Sequence, residues 1–357
     1  MKAGRVGQRA FSHARGVRLA GTNIACDAVG TAGGLVFLSH ALALVGAGGG
    51  RAAGSAGFPR SFGAALPRGG RQEVLATEAT LSLLGRAGES LRRRALPASF
   101  GRPFALGEHR VELFPSGYLP GAASLLVEGT RRRTVYAGSV RLSTPAFGAP
   151  PAEIRRADAI CLDATFGHPR FELPPPAEAL AVLRTFVEET LESGRAPVLL
   201  LSPFAAGMEA ASFLVKAGFS VRGHRSMLAA AALYKKAGLV PPAIPRFAAK
   251  LGEKEVLLWP PEARRAPLLG TLPRARFAFV SGFSLDPRAV AEVGADCAVP
   301  LSNQGGYADL LAYIEATGAR EVAVFRGHAE HFAETLREKG LFAYAIGPAR
   351  QMELFRG

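Results

Sequence analysis

Cysteine is scarce in this chain. Its 357 residues include 3 cysteines, Cys26, Cys161 and Cys297, odd in number and far apart. That argues against a disulfide framework and fits a reducing cytoplasm. No apolar run reaches the length of a membrane span, since Leu35–Gly50 is too short and leads into glycines. The basic residues near the start lack an adjoining apolar core and cleavage site, so no secretory leader is predicted. Acidic residues are few, 29 against 43 Lys and Arg, which leaves a formal charge of +14. A basic surface attracts polyanions, so nucleic acid is the first partner to consider and a membrane is not expected. Arginine far outnumbers lysine, and alanine and glycine are abundant, a pattern that a GC-rich genome also produces. Short basic clusters stand at Arg92–Arg94, Arg131–Arg133 and Arg264–Arg265.

What is present suffices for one large or two ordinary domains: 48% of the residues are hydrophobic. The first half reads as short strands bounded by Gly or Pro, at Gly34–Leu38, Glu73–Ala76, His109–Phe114, Ser124–Glu128, Arg133–Ala137 and Ala159–Leu162. Thr77–Arg86 reads as a helix, and Ala177–Ser193 is the clearest amphipathic one, closed by Gly194. The pattern then changes to strand–helix alternation. An all-apolar strand at Pro197–Leu201 leads into an α/β block through Phe277–Ser281. The end alternates again, with helices at Tyr307–Thr317 and Ala329–Lys339 between strands at Ala298–Pro300, Glu321–Phe325 and Ala343–Ile346. Ala47–Ala65, rich in Gly and Ala, is expected to be a flexible loop.

Short segments in a fixed order carry the chemistry-bearing residues. Gly16–Asp27 ends in an aspartate, and Leu35–Val45 reads L-V-F-L-S-H-A-L-A-L-V with His40 at its centre. Phe114–Ser124 reads F-P-S-G-Y-L-P-G-A-A-S, and Thr134–Val140 reads T-V-Y-A-G-S-V. Cys161–Pro169 is C-L-D-A-T-F-G-H-P, Ser202–Glu209 is S-P-F-A-A-G-M-E and Phe279–Phe283 is F-V-S-G-F. Val299–Leu310 reads V-P-L-S-N-Q-G-G-Y-A-D-L, and Val324–Glu330 reads V-F-R-G-H-A-E.

From about Gly16 to Ile346 this series resembles the motifs of the metallo-β-lactamase superfamily and its β-CASP subgroup of nucleic-acid-processing enzymes. The compact bacterial ligase-associated exonucleases and mRNA 3′-end processing-factor homologues are the most similar in length. The resemblance implies an α/β protein with a four-layer αββα fold and an inserted α/β cap domain. Its domains would be residues 1–192, a cap at 193–298, and a return to the first domain at 299–357. It also implies a two-zinc centre, of whose ligands this chain keeps His40. Leu42, Leu44, Val45, Tyr118, Ser139 and Gln304 stand at the other ligand positions, and Asn303 replaces an aspartate beside the last. Asp27 matches an aspartate that supports the ligands, Asp163 matches the acid of motif A, and His328 matches a histidine that contacts the scissile phosphate.

On that resemblance the zinc is expected to be lost, because hydrocarbon, phenol, hydroxyl and amide side chains cannot hold two adjacent cations. No cofactor is expected, and His40, Asp163 and His328 would be vestiges of a catalytic set. The leading expectation is a catalytically inactive homologue of β-CASP nucleases. It would bind DNA or RNA through Arg131, Arg132, Arg133 and His328, or pair with an active paralogue, a ligase or a helicase. The alternatives are a metal-dependent exonuclease with a remodelled site, and a structural protein whose charge reflects composition alone.

Overall fold

Alternation and turn chemistry account for most elements of the computed structural model, which describes residues 9–28, 34–43, 72–130, 132–143, 147–272 and 274–347. Leu44, Val45, Arg131 and the expected loop Ala47–Ala65 lie outside the described residues. The first six strands are β1 (Phe11–His13), β2 (Val17–Leu19), β3 (Ile24–Cys26), β4 (Leu35–Phe37), β5 (Glu73–Ala76) and β6 (Ala95–Pro97). They form one sheet in chain order, antiparallel through β3 and parallel from β3 to β6. The helix expected at Thr77–Arg86 is two short ones, α1 (Glu78–Leu83) and α2 (Arg86–Leu91). Gly85 divides them at φ 60°, a conformation that a side chain would disfavour. Thr77 caps α1 by accepting from the Thr80 amide at 3.1 Å.

A second sheet begins with β7 (Phe104–Leu106), β8 (His109–Pro115), β9 (Ala123–Glu128), β10 (Arg133–Gly138) and β11 (Ala159–Asp163). The long helix α3 (Pro176–Glu192) then leads to a five-stranded parallel sheet. Its elements are β12 (Ala196–Leu201), α4 (Ala206–Lys216), β13 (Ser220–Gly223), α5 (Arg225–Lys236), β14 (Glu255–Trp259), β15 (Ala275–Val280), α6 (Pro287–Val293) and β16 (Cys297–Val299). Its strand order is β13-β14-β12-β15-β16. After it come α7 (Tyr307–Thr317), β17 (Glu321–Phe325), α8 (Ala329–Glu338) and β18 (Phe342–Ala345). β17 pairs in parallel with β11, so the second sheet has the order β18-β17-β11-β10-β9-β8-β7. The described residues thus form a mixed α/β structure with three sheets.

Period-two alternation decides where each side chain goes. In β9, Leu125 and Val127 join Phe37, Leu75, Leu113 and Tyr136 in a core shared by the first two sheets. Leu126, between them, faces the other way. It joins Val135, Ile160 and Leu162 under Tyr313 and Ile314 of α7 and Phe332 and Leu336 of α8. On the far side of the first sheet, Val36, Leu38 and Val74 pack against Leu81 and Leu91 of α1 and α2. Each large apolar side chain buried this way contributes about 1.5–3 kcal/mol.

Candidate functional site

The segments singled out in the sequence come together where the strands of the first two sheets end. Asp27 follows β3 at φ 50°, and Ser39 follows β4. The Ser39 amide and hydroxyl both donate to the Asp27 carboxylate, at 2.8 and 2.6 Å, and the Tyr136 hydroxyl donates at 2.7 Å. Burial pushes the Asp27 carboxyl up, while those three hydrogen bonds oppose the shift.

Next to Ser39 lies His40, which is 4% exposed. Its Nδ1 accepts from the Leu42 amide at 3.1 Å, so the proton of the neutral ring sits on Nε2. The Tyr118 ring meets it edge-on, with centroids 4.8 Å apart. Burial, reinforced by the Arg326 charge, pushes His40 down to about 3, although Asp163 acts the other way. Burial also raises the Tyr118 phenol, with Asp163 adding to the effect. Both rings are therefore neutral near pH 7. Leu42 and Tyr118 pack against a core that includes Leu201, Phe204 and Met208 of the five-stranded unit. At Leu42, where the resemblance implied a ligand, the chain has packing instead.

Asp163, at the end of β11, is the hub. Its carboxylate accepts from the Thr165 amide at 2.9 Å, the Thr165 hydroxyl at 2.6 Å, the Ser139 hydroxyl at 3.0 Å and Arg326 Nη1 at 3.2 Å. Gln304 donates to the Ser139 hydroxyl at 2.8 Å and extends the chain of hydrogen bonds. Arg326 was not among the residues expected to matter. It follows β17 at φ 64°, and its side chain remains 42% exposed. The segment V-F-R-G-H contained it, and the Arg-Gly pair was the available signal of an unusual turn. Gly327, at φ 47°, lets the turn approach Thr165 so closely that a Cβ would lie 2.3 Å from the Thr165 Cα.

A second buried charge ties this region to the five-stranded unit. Arg141 is fully buried and forms a two-pronged pair with Glu209 of α4, at 2.9 and 3.0 Å. Asn303 reaches the same carboxylate at 3.5 Å. Glu209 lies in the quoted segment S-P-F-A-A-G-M-E, whereas Arg141 falls just outside every segment singled out in the sequence.

The structure therefore gathers His40, Tyr118, Ser139, Asp163 and Gln304, with Leu42 beside them. His328 lies just beyond, after Arg326 and Gly327, and accepts at Nε2 from Arg170 at 3.1 Å. Arg132 and Arg133 are not brought to this place. They stand at the opposite end of β10 from Ser139, about 20 Å away at the usual rise of a strand. There Arg132 pairs with Glu321 at 3.0 Å and Arg133 with Glu128 at 3.1 Å.

The gathered side chains do not fit zinc. Among the described residues no group of three or more His, Cys, Asp or Glu could hold a metal ion. Asp163 is instead occupied by the Arg326 guanidinium and two hydroxyls.

No protein-family model matches the chain. It is 31% identical over 284 residues to a protein of Opitutus terrae named "Probable DNA ligase". The match takes in 79% of this chain but only 28% of that protein. These findings overturn the assignment to the metallo-β-lactamase superfamily and its β-CASP subgroup, since neither comparison gives that family. The functional expectations built on it fall together: an inactive β-CASP homologue, a metal-dependent exonuclease with a remodelled site, and a purely structural protein. The resemblance had rested on the order of the segments, on their glycines and apolar positions, and on Asp27, His40, Asp163 and His328. The glycines and apolar positions describe strand ends and turns, and the side chains that would carry the family's chemistry are replaced at Tyr118, Ser139 and Gln304.

Proposed function

We propose that this chain acts on DNA as a substrate-handling unit of a strand-joining system. The observation that carries the reading is the 31% identity over 284 residues to a protein named for DNA ligation. The chain spans only 28% of that relative, so it corresponds to one portion of it. Strand joining through a lysine nucleophile would call for a desolvated amine. The lysines of the described residues, Lys216, Lys235, Lys236, Lys250, Lys254 and Lys339, are all exposed. The role that fits this chain is therefore to hold the DNA rather than to carry the activated nucleotide.

The net charge of +14 supports attraction to the phosphate backbone. Arg326 offers further support: one of its five N–H donors reaches Asp163, and its open side leaves others for a phosphate oxygen. We also read the architecture as four αββα layers, with residues 193–298 inserted as a separate α/β domain between 1–192 and 299–357. Supporting this are the core shared by two sheets, the helices packed on their outer faces, and the confinement of the five-stranded sheet to β12–β16.

The test is fluorescence anisotropy with nicked, blunt and overhanging duplexes, alongside a nick-sealing assay with the chain alone. Binding at low salt without sealing is expected. Absence of binding to every duplex at about 50 mM salt, where phosphate contacts are strong, would overturn the reading. Sealing by the isolated chain would overturn the assignment of a handling role.

A further inference from the structure

Phe283 keeps 38% of its surface open. It stands on a short 3-10 turn, Gly282–Leu285, that follows the C-terminal end of β15. Its position is fixed from behind. The ring centroid lies 5.0 Å from that of Phe166 and 6.0 Å from that of Phe171, both buried. Phe171 in turn touches His328, at 5.3 Å between centroids, and the Arg170 guanidinium lies 4.9 Å over the Phe171 ring. His168 and His331 are stacked at 4.4 Å with 29° between their planes, and His328 is 5.3 Å from His168.

The exposed Phe283, Arg170 and His331 thus line one edge, linked through the buried Phe171 and the half-buried His328 and His168, and two units of the fold contribute to it. Phe283 and the outer imidazole, His331, both keep surface exposed to solvent. Arg170 is 44% exposed, with Asp286 at 3.5 Å as its resting partner. Burial, then the Arg170 charge and the neighbouring imidazoles, lowers His328, consistent with its accepting from Arg170.

We propose that this edge binds unpaired nucleotides of a DNA strand, with bases stacked on Phe283 and on the His168–His331 pair and a backbone phosphate against Arg170. Stacking on aromatic faces beside a cationic track is how proteins hold single strands without reading sequence. A paired base within a duplex has no free face to offer. A phosphate arriving at Arg170 would exchange with Asp286, an ion pair partly open to water and so weakly held. The inference rests on the reading of the chain as a DNA-handling unit and names the form of DNA that it holds.

The experiment compares a blunt duplex with the same duplex carrying a single-stranded overhang of several nucleotides, by anisotropy. Wild-type protein should bind the overhang more tightly than the blunt end. Phe283→Leu keeps an apolar contact but removes the π-face. It should weaken overhang binding about tenfold, within the range of one base–aromatic stack, and leave blunt-end binding unchanged. Phe283→Trp should retain the overhang preference, which separates loss of stacking from loss of fold. His168→Ala combined with His331→Ala should also erode the preference. Equal binding of overhang and blunt duplex by wild type, or wild-type overhang affinity in Phe283→Leu, overturns this inference and leaves the DNA-handling reading intact. Failure to bind either duplex overturns both.

Discussion

Gly327 bears one of the closest approaches in the site region. Its φ is 47°, and a methyl group there would lie 2.3 Å from the Thr165 backbone, which leaves no room for alanine. Gly327→Ala should destabilise the protein by about 2–4 kcal/mol, read as a fall in urea midpoint, because strain and overlap add. His40 gives a second prediction at this scale. Its folded value near 3 lies below the ordinary 6.5. Between those values the unfolded chain takes up a proton that the folded chain refuses. Stability should therefore be level above about pH 6.5 and fall as the pH drops toward 3, by on the order of a few kcal/mol. His40→Gln should flatten that acid limb in urea titrations at pH 7, 5 and 4. An unchanged limb would mean that His40 is not held neutral.

Among the elements, the bond between Arg141 and α4 is the one with most at stake. Removing the carboxylate with Glu209→Ala leaves a guanidinium buried without its partner. The expected cost is about 3–5 kcal/mol. Replacing both, as Arg141→Met with Glu209→Leu, should recover most of that loss, because two apolar side chains need no compensation there. Thermal midpoints of the single and double variants decide it. Regular elements of this kind were legible beforehand. The strands at Glu73–Ala76 and Glu321–Phe325 and the helix Tyr307–Thr317 have the bounds that their pattern indicated. The three-residue strands β6 and β7 are too short to show any period. α6 was missed although Asp286, Pro287 and Gly294 supplied its cap, first residue and left-handed end. The site was legible as a set of places: His40, Tyr118, Ser139, Asp163 and Gln304 meet. Arg141 and Arg326 were not, because their partners lie 68 and 163 positions away, and pairing over such distances leaves no local mark. The functional expectation went wrong for a related reason. Turn glycines and apolar strand ends recur wherever strands end in loops, and a few matching Asp and His side chains among them do not by themselves carry a family's chemistry.

At the scale of the whole molecule, charge should govern association with DNA. The logarithm of affinity should fall linearly with the logarithm of salt concentration, with a slope of about −0.9 for each phosphate neutralised. Arg170→Ala should reduce that slope by about one. Arg133→Ala should change it less, because Arg133 is engaged with Glu128 and with the Asp158 carboxylate through its amide. Anisotropy titrations at several salt concentrations measure both.

The adjacency of β11 and β17 bears on how the protein is made. The chain leaves the seven-stranded sheet at Asp163 and rejoins it at Glu321, alongside the strand it left. Far upstream, the Ala10 amide donates to the Glu321 carboxylate and the Phe11 amide to the Tyr344 hydroxyl, across 311 and 333 positions. On a translating ribosome the β1–β2 hairpin therefore emerges well before the residues that will hold it. During that interval β11 has an open edge and the hairpin an uncovered apolar face. The five-stranded unit between them is made of consecutive parallel β-α steps and can close on itself first. Among the described strands, the hairpin that emerges early is thus secured by side chains of strands that emerge much later.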